Sequence, residues 1–158
     1  MRRIFITLSM IATASLLAST PSFANIDTGA KVSDMTVKTA SGDVHTLSDF
    51  AGKRIVLEWT NHGCPYVKKH YETGNMQALQ KQTTADEDTV WLSVISSAEG
   101  EQGYLTGPEA VVKNIKRGAE PSAVVLDPKG VMGRAFSAKT TPHMYIIDEA
   151  HSRLSRRN

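Results

Sequence analysis

The sequence predicts an α/β fold, a central sheet flanked by helices on both faces. Three observations carry this. Short β-branched, apolar runs recur at residues 54–59 (RIVLEW), 90–95 (VWLSVI), 123–127 (AVVLD) and 145–148 (YIID), as buried strands require. Segments with apolar residues at helical spacing lie between them, one opening at Pro65 and one near Pro108. Gly- and Pro-containing turns separate these elements, with no repeat, low-complexity tract or linker among them. At 158 residues the chain fits one domain.

The first 24 residues stand outside that series. Arg2 and Arg3 precede the apolar run IFITLSMIATASLLA, which is followed by Ser19, Thr20, Pro21 and the small-residue pattern Ser22-Phe23-Ala24. This order predicts a secretory signal peptide cleaved after Ala24. The run falls short of the ~20 apolar residues of a spanning helix, so no stable membrane insertion is expected after cleavage. The expected location is periplasmic or secreted, with the folded domain over residues 25–158. The signal carries two Arg and no acid, so the excess of 18 Lys+Arg over 16 Asp+Glu disappears from the mature chain. Balanced charge points away from nucleic acid and anionic membranes as partners.

Along the mature chain, Ser41-Gly42-Asp43 reads as the turn of a hairpin between two alternating runs. LSDFAGK reads as one helical turn closed by Gly52, and residues 54–59 as a largely buried strand whose one internal charge is Glu58. Helical spacing continues from Pro65 through Val67, Tyr71, Ala78 and Leu79, interrupted near Gly74-Asn75. SSAEGEQGYLTG is loop, and Thr106 or Gly107 caps a helix running to about Arg117. Pro128-Lys129-Gly130 turns into a short helix over 131–136, and Pro142 precedes the fourth strand of the series.

The chain holds a single cysteine, Cys64, at the junction WTNHGCPYV. An internal disulfide is therefore not available, and an odd thiol in an exported protein suggests intermolecular pairing or a reactive group. Thiolate is the nucleophilic form, and at the ordinary thiol pKa of ~8.5 little of it exists near neutrality. A helix N-terminus favours an anion through unpaired N–H groups and its dipole. Lys68 and Lys69 add positive charge, and His62 two residues upstream is a candidate for proton transfer. The alternative is a small buried hydrophobe, as many free cysteines are.

These residues carry a resemblance. IVLEWT, then CPYV opening a helix, then TTPHMYIID resemble the thioredoxin fold. Together with GNMQALQ and WLSVISSAEGEQGYLT, they make residues 26–148 similar to exported redoxins of the AhpC/TSA superfamily, the peroxiredoxin-like relatives of thioredoxin. The resemblance implies a thioredoxin-like fold and a thiol-dependent oxidoreductase that needs no cofactor. Cys64 matches the family's nucleophile. Thr141-Pro142 matches the cis-proline loop that faces this cysteine and docks a partner's backbone. Trp59, Asn61, Pro65 and Tyr66 would shape the pocket. The implied substrate is a peroxide, or a disulfide on a protein partner, and an external thiol, small molecule or protein, would restore Cys64. A redoxin-fold binding protein without turnover is the third reading.

The chain also departs from the family. Val67 stands where many relatives have a second cysteine. Asn61 stands where peroxiredoxins have Thr, and their active-site Arg has only Arg134 as a weak counterpart. With one cysteine, the copper site of some relatives is not available, so no metal is expected. After YIID the family fold calls for a turn, an antiparallel strand and a covering helix. EAHSRLSRRN has no apolar alternation, so the chain reads as truncated, with that strand and helix expected to be missing and the sheet left with an unpaired edge.

Overall fold

The computed structural model describes residues 26–150 and 154–157; the predicted signal peptide lies outside them. In chain order the elements are β1 (Thr36–Thr39), β2 (Val44–Thr46), a 3-10 turn (Leu47–Phe50), β3 (Arg54–Trp59), α1 (Pro65–Glu72), α2 (Asn75–Thr84), β4 (Thr89–Ile95), α3 (Gly107–Lys116), β5 (Ala123–Leu126), α4 (Val131–Ala135), β6 (His143–Ile147) and β7 (Leu154–Arg157). The strands form one mixed sheet in the order β2-β1-β5-β4-β3-β6-β7. β3, β4 and β5 run parallel, while the outer pairings, β3 with β6 included, are antiparallel.

Period-2 alternation divides the apolar strand residues between two faces. Ile55, Leu57, Trp59, Leu92, Val94, Val125 and Tyr145 pack with Met132, Ala135 and Phe136 of α4 and its end, and with Ile26 and Val32 from the N-terminal segment. On the other face Val56 and Trp91 meet Val67, Tyr71 and Met76 of α1 and α2. Ile95 and Val124 meet Ala110 of α3 on that same face. Each large apolar side chain so enclosed contributes about 1.5–3 kcal/mol relative to exposure.

Local chemistry places the helix ends. Pro65 occupies the first turn of α1, with Cys64 extended at its N-cap. Between α1 and α2 the chain turns through Gly74 at φ 74°, a conformation side-chain-bearing residues rarely adopt. Thr106 begins α3 with a capping box: its backbone N–H and hydroxyl donate to Glu109 Oε2 at 2.8 and 2.6 Å. Those bonds hold the Glu109 carboxyl below the usual carboxylate range.

One expectation is corrected. The polar end forms β7, paired antiparallel with β6 from Ile147↔Leu154 to Met144↔Arg157. Strand pairing needs only backbone N–H and C=O groups, and at a sheet edge it makes no demand for apolar alternation. The turn leading to β7 is tied back to β3: Gly52 N–H donates to Glu149 O at 3.2 Å, and Arg54 pairs with the Glu149 carboxylate. No covering helix follows among the described residues. Nor is any of their helices long and apolar enough to cross a membrane.

Candidate active site around Cys64

Cys64 is half-buried where the loop leaving β3 enters α1. β6 lies beside β3 with His143 opposite Trp59, so the segment just before β6 meets the loop just after β3. That segment contains the Thr141-Pro142 peptide, which is cis. The Cys64 thiol donates to Thr141 O at 3.1 Å. Partial burial pushes the Cys64 pKa up, but a side-chain hydrogen bond from Thr141 and the backbone N–H groups of Val67 and Tyr66 outweigh it, and the net pKa falls below the ordinary thiol value. The carbonyl of Thr141 accepts from the thiol and so favours the protonated form; the groups aimed at the anion are the N–H groups at the start of α1.

A second loop fixes the approach to Cys64. Asn61 accepts from Gly63 N–H at 2.8 Å and donates to Gln102 O at 3.1 Å. Its own carbonyl accepts from Cys64 N–H at 3.0 Å. Gly103 sits at φ 90°, and a Cβ there would lie 2.4 Å from Asn61 Cγ. Gly103→Ala is therefore expected to cost about 1–3 kcal/mol from backbone strain alone. It should also slow Cys64 alkylation by displacing Asn61, which chemical unfolding and reaction with iodoacetamide would measure.

The predicted site residues fall into separate positions. Trp59 is buried, donates from Nε1 to Ser96 Oγ at 3.0 Å, and Ser96 in turn donates to Asp127 Oδ2 at 2.7 Å. Trp59, Asn61 and Thr141 line a cleft of about 220 Å³ with Thr60, Ser96 and Lys139. Cys64, His62 and Pro142 are not among its lining residues, nor are Pro65, which is exposed, and Tyr66, which is 70% exposed. His62 is half-buried. Burial first, then the charges of Lys113, Arg117 and Lys68, push its pKa below the ordinary histidine value. Arg134 donates to Lys129 O at 2.9 Å and lines an adjoining cleft with Gly130 and Ser137, the two clefts sharing Ser96, Ala138 and Lys139.

The lowered His62 pKa has a measurable consequence. The ring is expected to stay neutral down to a pH below that of an unstructured histidine, which an NMR pH titration of its Cε1–H signal would read. The native state then binds fewer protons than the unfolded chain as the pH falls through the unfolded histidine range, so His62 withdraws stability on acidification.

The sequence reading missed what Glu58 does. It is fully buried, and its carboxyl accepts from Tyr71 Oη at 2.9 Å, Gln80 Nε2 at 3.2 Å, Trp91 Nε1 at 3.0 Å and Ser93 Oγ at 2.9 Å. The signal available was one charge inside an apolar strand. Burial and, second, the nearby Glu58 charge push the Tyr71 pKa far above its ordinary value. Among the described residues no group of three or more His, Cys, Asp or Glu could hold a metal ion.

The model of the AhpC/TSA family matches residues 28–152. The chain belongs to the AhpC/TSA family. A search of curated proteins finds no match. Among solved structures, this AhpC/TSA chain is similar to an uncharacterized conserved protein of Geobacillus kaustophilus, at 17% identity over 84% of this chain and 69% of that one, with a TM-score of 0.72. It is similar to the thioredoxin domain of a thiol-disulfide oxidoreductase from Bacteroides vulgatus, at 15% identity over 85% and 90%, TM-score 0.63. It is also similar to the exposed lipoprotein thioredoxin of Streptococcus pneumoniae, at 24% identity over 79% and 88%, TM-score 0.58. At these identities the likeness establishes a thioredoxin-like fold.

Proposed function

We propose that this AhpC/TSA protein is an exported, single-cysteine thiol peroxidase. The observation that carries the reading is Cys64 at the N-cap of α1, its pKa lowered, facing the Thr141-Pro142 loop. The thiolate attacks the terminal OH oxygen of a peroxide ROOH; the S–O bond forms as the O–O bond breaks, Cys64 becomes a sulfenic acid, and RO⁻ leaves as ROH by taking up the proton that the thiol gave up on ionising. As the chain has no second cysteine, the sulfenic acid is restored from outside. One thiol forms a mixed disulfide with Cys64 and releases water, and a second thiol displaces the first as a disulfide. Asn61 positions the loop through its bonds with Gly63 N–H and Cys64 N–H, peroxide reaches the half-buried Cys64 from solvent, and His62, two residues upstream, is the proposed partner for proton transfer. Peroxide consumption should fall to the rate of buffer in Cys64→Ser; an unchanged rate overturns the reading.

Thiol–disulfide exchange with protein partners is the second reading. It is supported by the thiol-disulfide oxidoreductase of B. vulgatus among the structural neighbours and by the exposed Tyr66 beside Cys64. Against it stands Val67, where an internal resolving thiol would release the partner. Specific proteins trapped on Cys64 as mixed disulfides, without peroxide consumption, would decide for it.

A further inference from the structure

Beyond the carboxyl ends of the parallel strands β3, β4 and β5 the chain leaves a recess made of two joined clefts, of about 610 and 220 Å³. Open α/β sheets bind their ligands in crevices at these strand ends, and the volumes suit a small molecule. Thr60 follows β3, Ser96 and Ser97 follow β4, and Gly130 leads from β5 into α4. Cys64 lies outside the lining, next to Thr141, which is part of it.

The lining carries two cations, Arg134 and Lys139, and no acid. Lys139 borders both clefts, and Ser97, Ser137 and Thr140 add hydroxyls around it. Arg134 is anchored by one nitrogen: Nη1 donates to Lys129 O at 2.9 Å and would lie 3.1 Å from a Cβ on Gly130. That leaves Nε and Nη2, an edge through which a guanidinium takes an oxyanion in two parallel bonds. Neither cation forms an ion pair among the described residues, where the pairs are His45–Asp49 and Arg54–Glu149. The carboxylate beside the recess, Asp127, is already engaged. It accepts from Ser96 Oγ at 2.7 Å and from the N–H groups of Val131 and Gly133 at 2.7 and 2.9 Å.

Two further features of the lining ask for a partner. Ser137 stands at φ 52°, one residue past the C-cap of α4, where helices usually place glycine; a serine is kept in the wall despite the strain. Thr60 is 3% exposed, and its Oγ1 has no hydrogen-bond partner, although buried hydroxyls are normally satisfied.

We propose that this recess binds a small polar molecule bearing an oxyanion, a carboxylate or a phosphate. The anionic group sits at Arg134 and Lys139, and the polar remainder extends past Ser97 toward Thr60. The site adjoins the Thr141-Pro142 loop without containing Cys64, so it stands or falls apart from the redox reading.

Inorganic phosphate and succinate are each titrated into the purified, reduced protein at constant ionic strength, with chloride as the balancing anion. The backbone amide signals of Ser137 and Lys139 and the heat of binding are followed. Saturable binding of at least one anion is expected, with shifts at both residues. Phosphate alone saturating would assign a phosphate-bearing ligand, and succinate alone a carboxylate-bearing one. Lys139→Gln should weaken binding about tenfold, the loss of one charge-assisted hydrogen bond. Lys31→Gln, at a different cleft, should leave it unchanged. Saturation by neither anion, affinity untouched by both Lys139→Gln and Arg134→Gln, or an equal fall in Lys31→Gln overturns the inference.

Discussion

Glu58→Ala is expected to cost about 3–5 kcal/mol, from buried donors left without an acceptor and from the space the side chain vacates. The carboxyl group is fully buried and accepts from four side chains carried by α1, α2 and β4. Removing it leaves those donors enclosed without an acceptor, at about 1–3 kcal/mol for each one not rescued. Some rescue is available, because Gln80 Nε2 already donates to Tyr71 Oη at 3.0 Å. The total therefore stays below the simple sum. Against a domain stability of ~5–15 kcal/mol, the variant should lose much of its resistance to urea. Glu58→Gln should fall between, since it keeps the shape but turns one acceptor into a donor facing other donors. A loss under ~1 kcal/mol in Glu58→Ala would mean that the donors find other partners and that the network does not hold α1 and α2 to the sheet.

Phe136→Ala is the second large effect, at about 3–5 kcal/mol for a core phenylalanine. Phe136 is fully buried at the end of α4. Its ring centroid lies 5.4 Å from that of Trp59 and 5.6 Å from that of Tyr145, and those two lie 5.1 Å apart. The cavity left would loosen the rings on β3 and β6, the two strands whose ends carry the Cys64 loop and the Thr141-Pro142 loop. Two readouts are expected to move together. Trp59 fluorescence should shift to the red as water reaches the ring, and Cys64 alkylation should slow at neutral pH as the two loops lose register. Lost stability with unchanged Cys64 reactivity would separate the aromatic cluster from the site.

How far the sequence could be read depended on whether a feature was local. The alternation of β3, β4 and β5 with helical segments is a property of hydrophobic period, and the elements fall where the period places them. The Cys64-Pro65 junction is equally local, since Pro at the first helical position states where the helix begins. Pro142 became legible only through the family resemblance, because its partner lies 78 residues upstream. Glu58 was visible as a charge in an apolar strand, but Gln80, Trp91 and Ser93 are brought to it by chain crossovers that no short window contains. The setting of His62 was hidden for the same reason: Lys113 and Arg117 arrive from α3. β7 was misjudged because apolar alternation was required of an edge strand that pairs through its backbone.

The proposed function requires Cys64 to be an accessible thiol activated by its place at the start of α1. The measurement that tests it most directly is the rate of Cys64 alkylation against pH, in buffer and again in denaturant. The account predicts a midpoint in buffer below that in denaturant, because the native pKa is lowered. Protection of Cys64 at every pH in buffer, or coincident midpoints in the two conditions, would contradict it.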